Sequence, residues 1–236
     1  MTDAAAPLDA RRAAAQPDAA IVTDAVPVAR TALVAHTGPV GARHGWLVLH
    51  GILQRAADFI RPWARIEGRE GRRVLAPEGL SRIITDFETD ATGACWTTMP
   101  DRDIEMRDAF AWLDLCWQRL EVEAGDGARV LVGFSQGSIV AARWAVARGR
   151  VFDAVLLWGG VVPSDVDAAA LAACSRDGAV HIVAGSRDVL ADEERRAKQY
   201  ARLEAAGVRL ELTTFEGGHR LDDATLTSLA ATLEAR

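Results

Sequence analysis

Ser135, set in Gly133-Phe134-Ser135-Gln136-Gly137, is the residue of this chain best placed to act as a nucleophile. The pentapeptide has the form G-x-S-x-G, and its flanks supply the context that this form requires. Upstream, Arg129-Val130-Leu131-Val132 reads as a short buried strand, and Ser138 to Arg148 downstream has the composition and periodicity of a helix. A serine on so tight a strand-to-helix turn stands clear of its neighbours. Small residues at 133 and 137 let strand and helix approach closely, and the helix N-terminus favours negative charge developing beside the serine. The bare pentapeptide arises often by chance, so the strand and helix around it carry the reading.

A serine alcohol is a weak nucleophile near neutral pH. It needs a base within hydrogen-bond reach, and an acid to fix that base's tautomer. Behind a turn of this type the acid and then the base follow along the chain, each on a loop after a strand. Two histidines follow Ser135. His181 lies inside the apolar run Val180-His181-Ile182-Val183, where packing or a satisfied core hydrogen bond is expected. His219 lies in the glycine-rich loop Phe215-Glu216-Gly217-Gly218-His219-Arg220, between the last strand and the last helix, and is the candidate base. For the acid, Asp188 follows a strand through Gly185-Ser186-Arg187. A helix cap is the competing role for Asp188, one that Asp192 could fill instead. Asp165 also follows a strand, but Pro163-Ser164-Asp165 resembles the start of a helix, so Asp188 is favoured. Asp222 and Asp223 suit the first turn of the last helix.

Acyl transfer at such a serine also needs two N–H groups aimed at the developing oxyanion. One is that of Gln136, the residue after the nucleophile. The other belongs on the loop after an early central strand, which here is His50-Gly51-Ile52-Leu53-Gln54. Ile52 is the candidate and Leu53 the alternative. His50 precedes the serine and is read as orienting that loop.

These residues need strands and helices to hold them. Residues 1 to about 25 are Ala-rich with Pro7 and Pro17, show no sustained apolar face, and read as a disordered tail. A single domain is expected over 26–236, with no internal repeat. Strands are expected at Val26–His36, Trp46–Leu49, Arg73–Ala76, Arg129–Val132, Ala154–Trp158, Ala179–Ala184 and Val208–Thr214. Helices are expected at Asp58–Gly68, Asp101–Ala124, Ser138–Arg148, Asp192–Ala206 and Asp222–Ala235, and Glu78 to Pro100 reads as a long irregular stretch. Trp46-Leu47-Val48-Leu49 is apolar on both faces, as a central parallel strand covered by helices should be. The fold class is α/β, a mostly parallel sheet with helices on both faces.

A net charge of -6 and a pI near 5.4 argue against a nucleic-acid partner, which needs clustered Lys and Arg. No apolar run approaches the roughly 20 residues that span a bilayer. Asp3, Asp9 and Asp18 interrupt any signal-peptide pattern, so a cytoplasmic protein is expected. Cys95, Cys116 and Cys174 fit neither a disulfide framework nor metal spacing, and read as small buried hydrophobes.

Taken together, Leu49-His50-Gly51, Ala76-Pro77-Glu78, Gly133-Phe134-Ser135-Gln136-Gly137, Gly185-Ser186-Arg187-Asp188 and Gly217-Gly218-His219 occur in an order that resembles the phospholipase/carboxylesterase family of α/β-hydrolases. That family includes acyl-protein thioesterases and small bacterial carboxylesterases. The resemblance covers nearly everything from Val26 onward, and glutamine after the serine is more specific to it than the bare G-x-S-x-G. It implies the α/β-hydrolase fold, with Ser135 as nucleophile, Asp188 as acid and His219 as base. The family's His-Gly-Leu-Gly-Asp is replaced by His50-Gly51-Ile52-Leu53-Gln54, and its Trp-Phe-Asp stretch has no equivalent. The oxyanion loop and the substrate therefore do not carry over.

The expected activity is cleavage of small carboxylic esters or thioesters through an acyl-enzyme on Ser135, with no cofactor and no metal. The same triad would also serve an acyltransferase or peptidase, and a non-catalytic binding protein of the same fold is the alternative. The stretch from Glu78 to Pro100 lies where it could cover the serine. Trp96 and Met99 are expected as an apolar wall of the substrate pocket, and Arg82 as a partner for an anionic group. Core packing is the competing role for Trp96 and Met99, and an ion pair with a surface acid that for Arg82.

Overall fold

The computed structural model describes residues 23–190 and 193–235. Residues 23–33 carry no regular secondary structure, and Thr31 onward forms one compact unit. Most of the expected tail, including Pro7 and Pro17, lies outside the described residues. The first strand, β1, covers only Val34–Thr37 rather than Val26–His36. The apolar positions before it are exposed, so no face of that segment is buried.

The remaining strands of the main sheet are β2 (His44–Leu49) and β3 (Arg72–Pro77). A two-stranded hairpin follows, β4 (Ser81–Asp86) with β5 (Ala91–Cys95). The sheet resumes with β6 (Arg129–Phe134), β7 (Ala154–Trp158), β8 (Ala179–Gly185) and β9 (Arg209–Phe215). The helices are α1 (Ala56–Phe59), α2 (Arg61–Arg65), α3 (Arg102–Glu123), α4 (Gln136–Arg148), α5 (Ala168–Ala173), α6 (Glu193–Ala205) and α7 (Asp223–Glu234). The main sheet has the order β1-β3-β2-β6-β7-β8-β9, and every neighbouring pair is parallel except β1 with β3.

The two-sided apolarity of the central strands now has its cause. Leu47, Leu49, Leu131 and Leu157 face α3 and α4, packing with Leu113, Trp117, Val140 and Trp144. Trp46, Val48, Val130 and Val132 face the other way, against Phe59, Trp63, Leu226 and Leu233. On that second side Arg72 and Glu234 form a buried bidentate ion pair, to which Trp46 adds an indole N–H bond at 2.9 Å, so α7 is fastened to the sheet. Among the described residues no helix is long and apolar enough to cross a membrane.

Three expected elements differ. The helix expected over Asp58–Gly68 is two short helices, because Pro62 stands in the first turn of α2. Proline lacks the N–H that a helix interior needs but is tolerated where that N–H would be unpaired anyway. The irregular stretch Glu78–Pro100 contains the β4–β5 hairpin, whose outer strand is exposed along most of its length and so shows no apolar alternation. The helix start read at Pro163-Ser164-Asp165 falls slightly later, at α5, which Asp167 caps by accepting from the Ala170 N–H at 2.9 Å.

Candidate active site

Parallel strands put their C-terminal ends along one edge of the sheet, and that edge carries Ser135, Asp188, His219 and the loop after β2. Ser135 joins β6 to α4 with φ 54° and ψ -118°, a positive φ that a residue with a Cβ rarely adopts. The turn closes this tightly only because its neighbours are glycine. A Cβ on Gly133 would stand 2.4 Å from the Gly137 oxygen, and one on Gly137 2.3 Å from the Leu49 oxygen. The Ser135 N–H donates to the Trp158 oxygen at 2.8 Å, which fastens the turn to β7.

Asp188 and His219 meet across the loops after β8 and β9: His219 Nδ1 lies 2.7 Å from Asp188 Oδ2. The Asp188 side chain is 1% exposed and that of His219 19%, so the pair is anchored in the protein and presents the imidazole outward. Asp188 Oδ1 also accepts from the Leu190 N–H at 2.9 Å, which holds the carboxylate from its own loop. With an ionised carboxylate on Nδ1, that nitrogen carries the proton and Nε2 is left as an acceptor. Phe134, the residue before Ser135, packs against the His219 ring with centroids 4.9 Å apart.

The competing residues are engaged elsewhere. Asp165 pairs with Arg143 at 2.7 and 3.0 Å on the surface. Asp222 caps α7 through the Thr225 N–H at 3.1 Å. His181 meets Asp177 within β8 and its flank, at 3.1 Å, as expected of a core histidine. Asp192 lies outside the described residues.

The loop after β2 runs beside the serine: Ser135 Cβ is 3.1 Å from where a Cβ on Gly51 would stand. Leu53, at φ 62°, gives its N–H to the Ala94 oxygen at 2.8 Å. For the N–H groups of Ile52 and Gln136 there is no acceptor among the described residues. Gln54 Oε1 accepts from the Gly51 N–H at 2.7 Å and steadies the turn. His50 is fully buried. Its Nε2 accepts from the Gly79 N–H at 2.9 Å, so the proton sits on Nδ1 and is donated to the Gly51 oxygen at 2.7 Å. Burial lowers the His50 pKa, the bond to Gly51 opposing it, and the ring stays neutral.

The three residues expected to line a pocket are placed differently. Trp96 is 1% exposed and stacks on the His50 ring at 5.0 Å, with its indole N–H on the His50 oxygen at 2.8 Å. It is a support beneath the loop after β2, because a large ring with a satisfied polar tip is stabilised by burial. Met99 is 81% exposed. Arg82 pairs with Glu78 at 3.1 Å, and that acid is buried rather than on the surface. Burial pushes the Glu78 carboxyl up, but bonds from Arg55, the Ala56 N–H and Arg82 outweigh it and bring the group below its ordinary value. Sequence reasoning missed Gln54 and Glu78 in these roles, since each is a single polar residue in a loop with no periodic signal.

The three cysteines are free and buried, and burial pushes the Cys116 thiol up to about 12.

No protein-family model matches the chain, and no curated protein matches it by sequence. Solved structures do. Esterase PE8 superposes with a TM-score of 0.62 at 19% identity, covering 86% of this chain and 100% of that one. Acyl-protein thioesterase 2 of Zea mays gives 0.62 at 16%, covering 86% and 100%. A Bacillus cereus carboxylesterase gives 0.61 at 14%, covering 86% and 94%. At these identities the likeness is one of fold. The chain has the α/β-hydrolase fold.

Proposed function

We propose that the protein is a serine hydrolase that cleaves small carboxylic esters or thioesters through an acyl-enzyme on Ser135. The observation that carries this reading is the 2.7 Å Asp188–His219 contact on the loops beside a serine held at positive φ. Ser135 Oγ attacks the acyl carbon while His219 Nε2 takes the hydroxyl proton. Asp188 keeps the imidazole in the required tautomer and stabilises the imidazolium. The N–H groups of Ile52 and Gln136 receive the oxyanion, each worth about 3 kcal/mol in the transition state. Leu53 is set aside as donor because its N–H is taken by Ala94. His219 then protonates the leaving oxygen or sulfur, and water, activated by the same nitrogen, releases the acyl group.

The acyl part is read as apolar, since Ile52 and Leu53 leave aliphatic surface exposed on the loop after β2, which runs beside the serine. Ser135→Ala is expected to abolish p-nitrophenyl ester hydrolysis and labelling by a fluorophosphonate probe, with the melting temperature preserved. Turnover unchanged in that variant, or wild-type protein that is folded yet neither labelled nor active, refutes the proposal.

A further inference from the structure

The two N–H groups proposed to receive the oxyanion come from the loop after β2 and from the first turn of α4, and nothing in the chain's order fixes the distance between them. Residues 94–97, at the end of β5, touch both loops. On one side the Leu53 N–H donates to the Ala94 oxygen at 2.8 Å, and the Ala94 N–H donates to the Gln54 oxygen at 3.3 Å. The approach is close: a Cβ on the neighbouring Gly93 would fall 2.4 Å from the Leu53 oxygen. On the other side the Gln136 side chain reaches across from the first turn of α4. Its Oε1 accepts from the Trp96 N–H at 3.0 Å, and its Nε2 donates to the Thr97 oxygen at 2.8 Å. The far end of the segment is fixed to α3, where Glu105 accepts from Thr98 and, at 2.7 Å, from Ser81.

We infer that the side chain of Gln136 is a positioning residue, which clamps residues 94–97 as a spacer between the Ile52 and Gln136 N–H groups. The inference rests on the proposed role of those two groups and adds a second task for Gln136 beyond its backbone. An amide side chain suits the task because it offers one acceptor and one donor, and this segment presents one of each. A carboxylate would lose the donor and bring a charge; an alkyl chain would lose both bonds. With both ends of the clamp made, Gln136 cannot swing, and the N–H beside Ser135 keeps its aim. Oxyanion donors act through preorganisation, so a spacing error at this point falls on the transition state and leaves the bound ester little affected.

The test is Gln136→Met in the full chain, a substitution of similar length that keeps the backbone N–H. For a p-nitrophenyl ester, kcat is expected to fall ~10- to 100-fold with KM little changed, the range that a misplaced reacting group costs. Affinity for an aryl trifluoromethyl ketone, whose hemiketal oxygen occupies the oxyanion position, is expected to fall by the same factor as kcat/KM. A defect of folding alone would lower the active fraction and leave the ketone affinity of the folded protein unchanged. Amide hydrogen exchange reads the clamp without turnover. Exchange should quicken at Trp96, which loses its acceptor, and also at Leu53, which Gln136 does not touch. Unchanged kcat in folded Gln136→Met, or faster exchange at Trp96 with Leu53 unaltered, overturns the inference. Failure of the Ser135→Ala test would instead remove the hydrolase reading, and the exchange result would still decide whether the spacer exists.

Discussion

His50 and His219 stand on corresponding loops, after β2 and after β9, at the same edge of the sheet, and their surroundings give them opposite natures. His50 has both ring nitrogens committed to backbone, one to the Gly79 N–H and one to the Gly51 oxygen, and no face open to water. His219 has a carboxylate on one nitrogen, partial exposure, and its second nitrogen without a partner among the described residues. A histidine becomes a proton carrier only where one nitrogen is held and the other is left over. Where both are held, the same ring is a rigid strut.

The comparison breaks most sharply through the left-over nitrogen. His219→Ala is expected to lower kcat by about 10⁶-fold, as removal of a triad base does elsewhere. Steady-state ester hydrolysis checks the loss. Asp188→Asn keeps the shape but forces the wrong tautomer, and a loss of about 10⁴-fold is expected. His50→Phe reverses the pattern. It leaves the Gly79 N–H unpaired in the interior, at about 1–3 kcal/mol, while the Gly51 C=O keeps the Gln54 N–H at 3.3 Å. For a domain of this size that lowers the melting temperature by about 2–4 °C per kcal/mol. Activity should fall far less than in His219→Ala; an equal fall would erase the distinction between the two rings.

The pH dependence of stability sharpens the same contrast. Burial lowers the folded-state pKa of His50, so below about pH 6.5 the unfolded chain binds a proton that the folded chain refuses. The contribution of His50 is therefore complete above that pH and is lost as pH falls toward the lowered folded value. His36 and His44 are also lowered by burial and add to the slope. Denaturant melts of wild type and His50→Phe between pH 5 and 8 should accordingly show the shallower slope in the variant.

The pairing of Asp188 with His219 was legible in the sequence because chain order is a strong constraint. Once Ser135 lies on a strand-to-helix turn, few aspartates and histidines remain at later strand ends, and Asp188 and His219 are the ones that the structure brings together. The central strands were legible for a related reason: burial on both faces leaves an unbroken apolar run. The hairpin β4–β5 was not, since its exposed outer strand, Ser81–Asp86, alternates nothing that water would distinguish. Trp96 was misplaced because aromatic type fixes neither direction nor depth. The clamp of Gln136 was invisible too, as it depends on two backbone groups near residue 97 whose position no local pattern encodes.

The backbone of Ser135 also works against the fold that contains it. Positive φ at a residue with a side chain costs ~1–3 kcal/mol, whereas glycine adopts it freely at an expense of ~0.5–1 kcal/mol in chain entropy. Ser135→Gly, inactive for want of a hydroxyl, is therefore expected to melt above Ser135→Ala, which keeps the Cβ and its strain. At this position the backbone favours a residue without a hydroxyl, so the serine proposed as nucleophile is kept at a cost to stability.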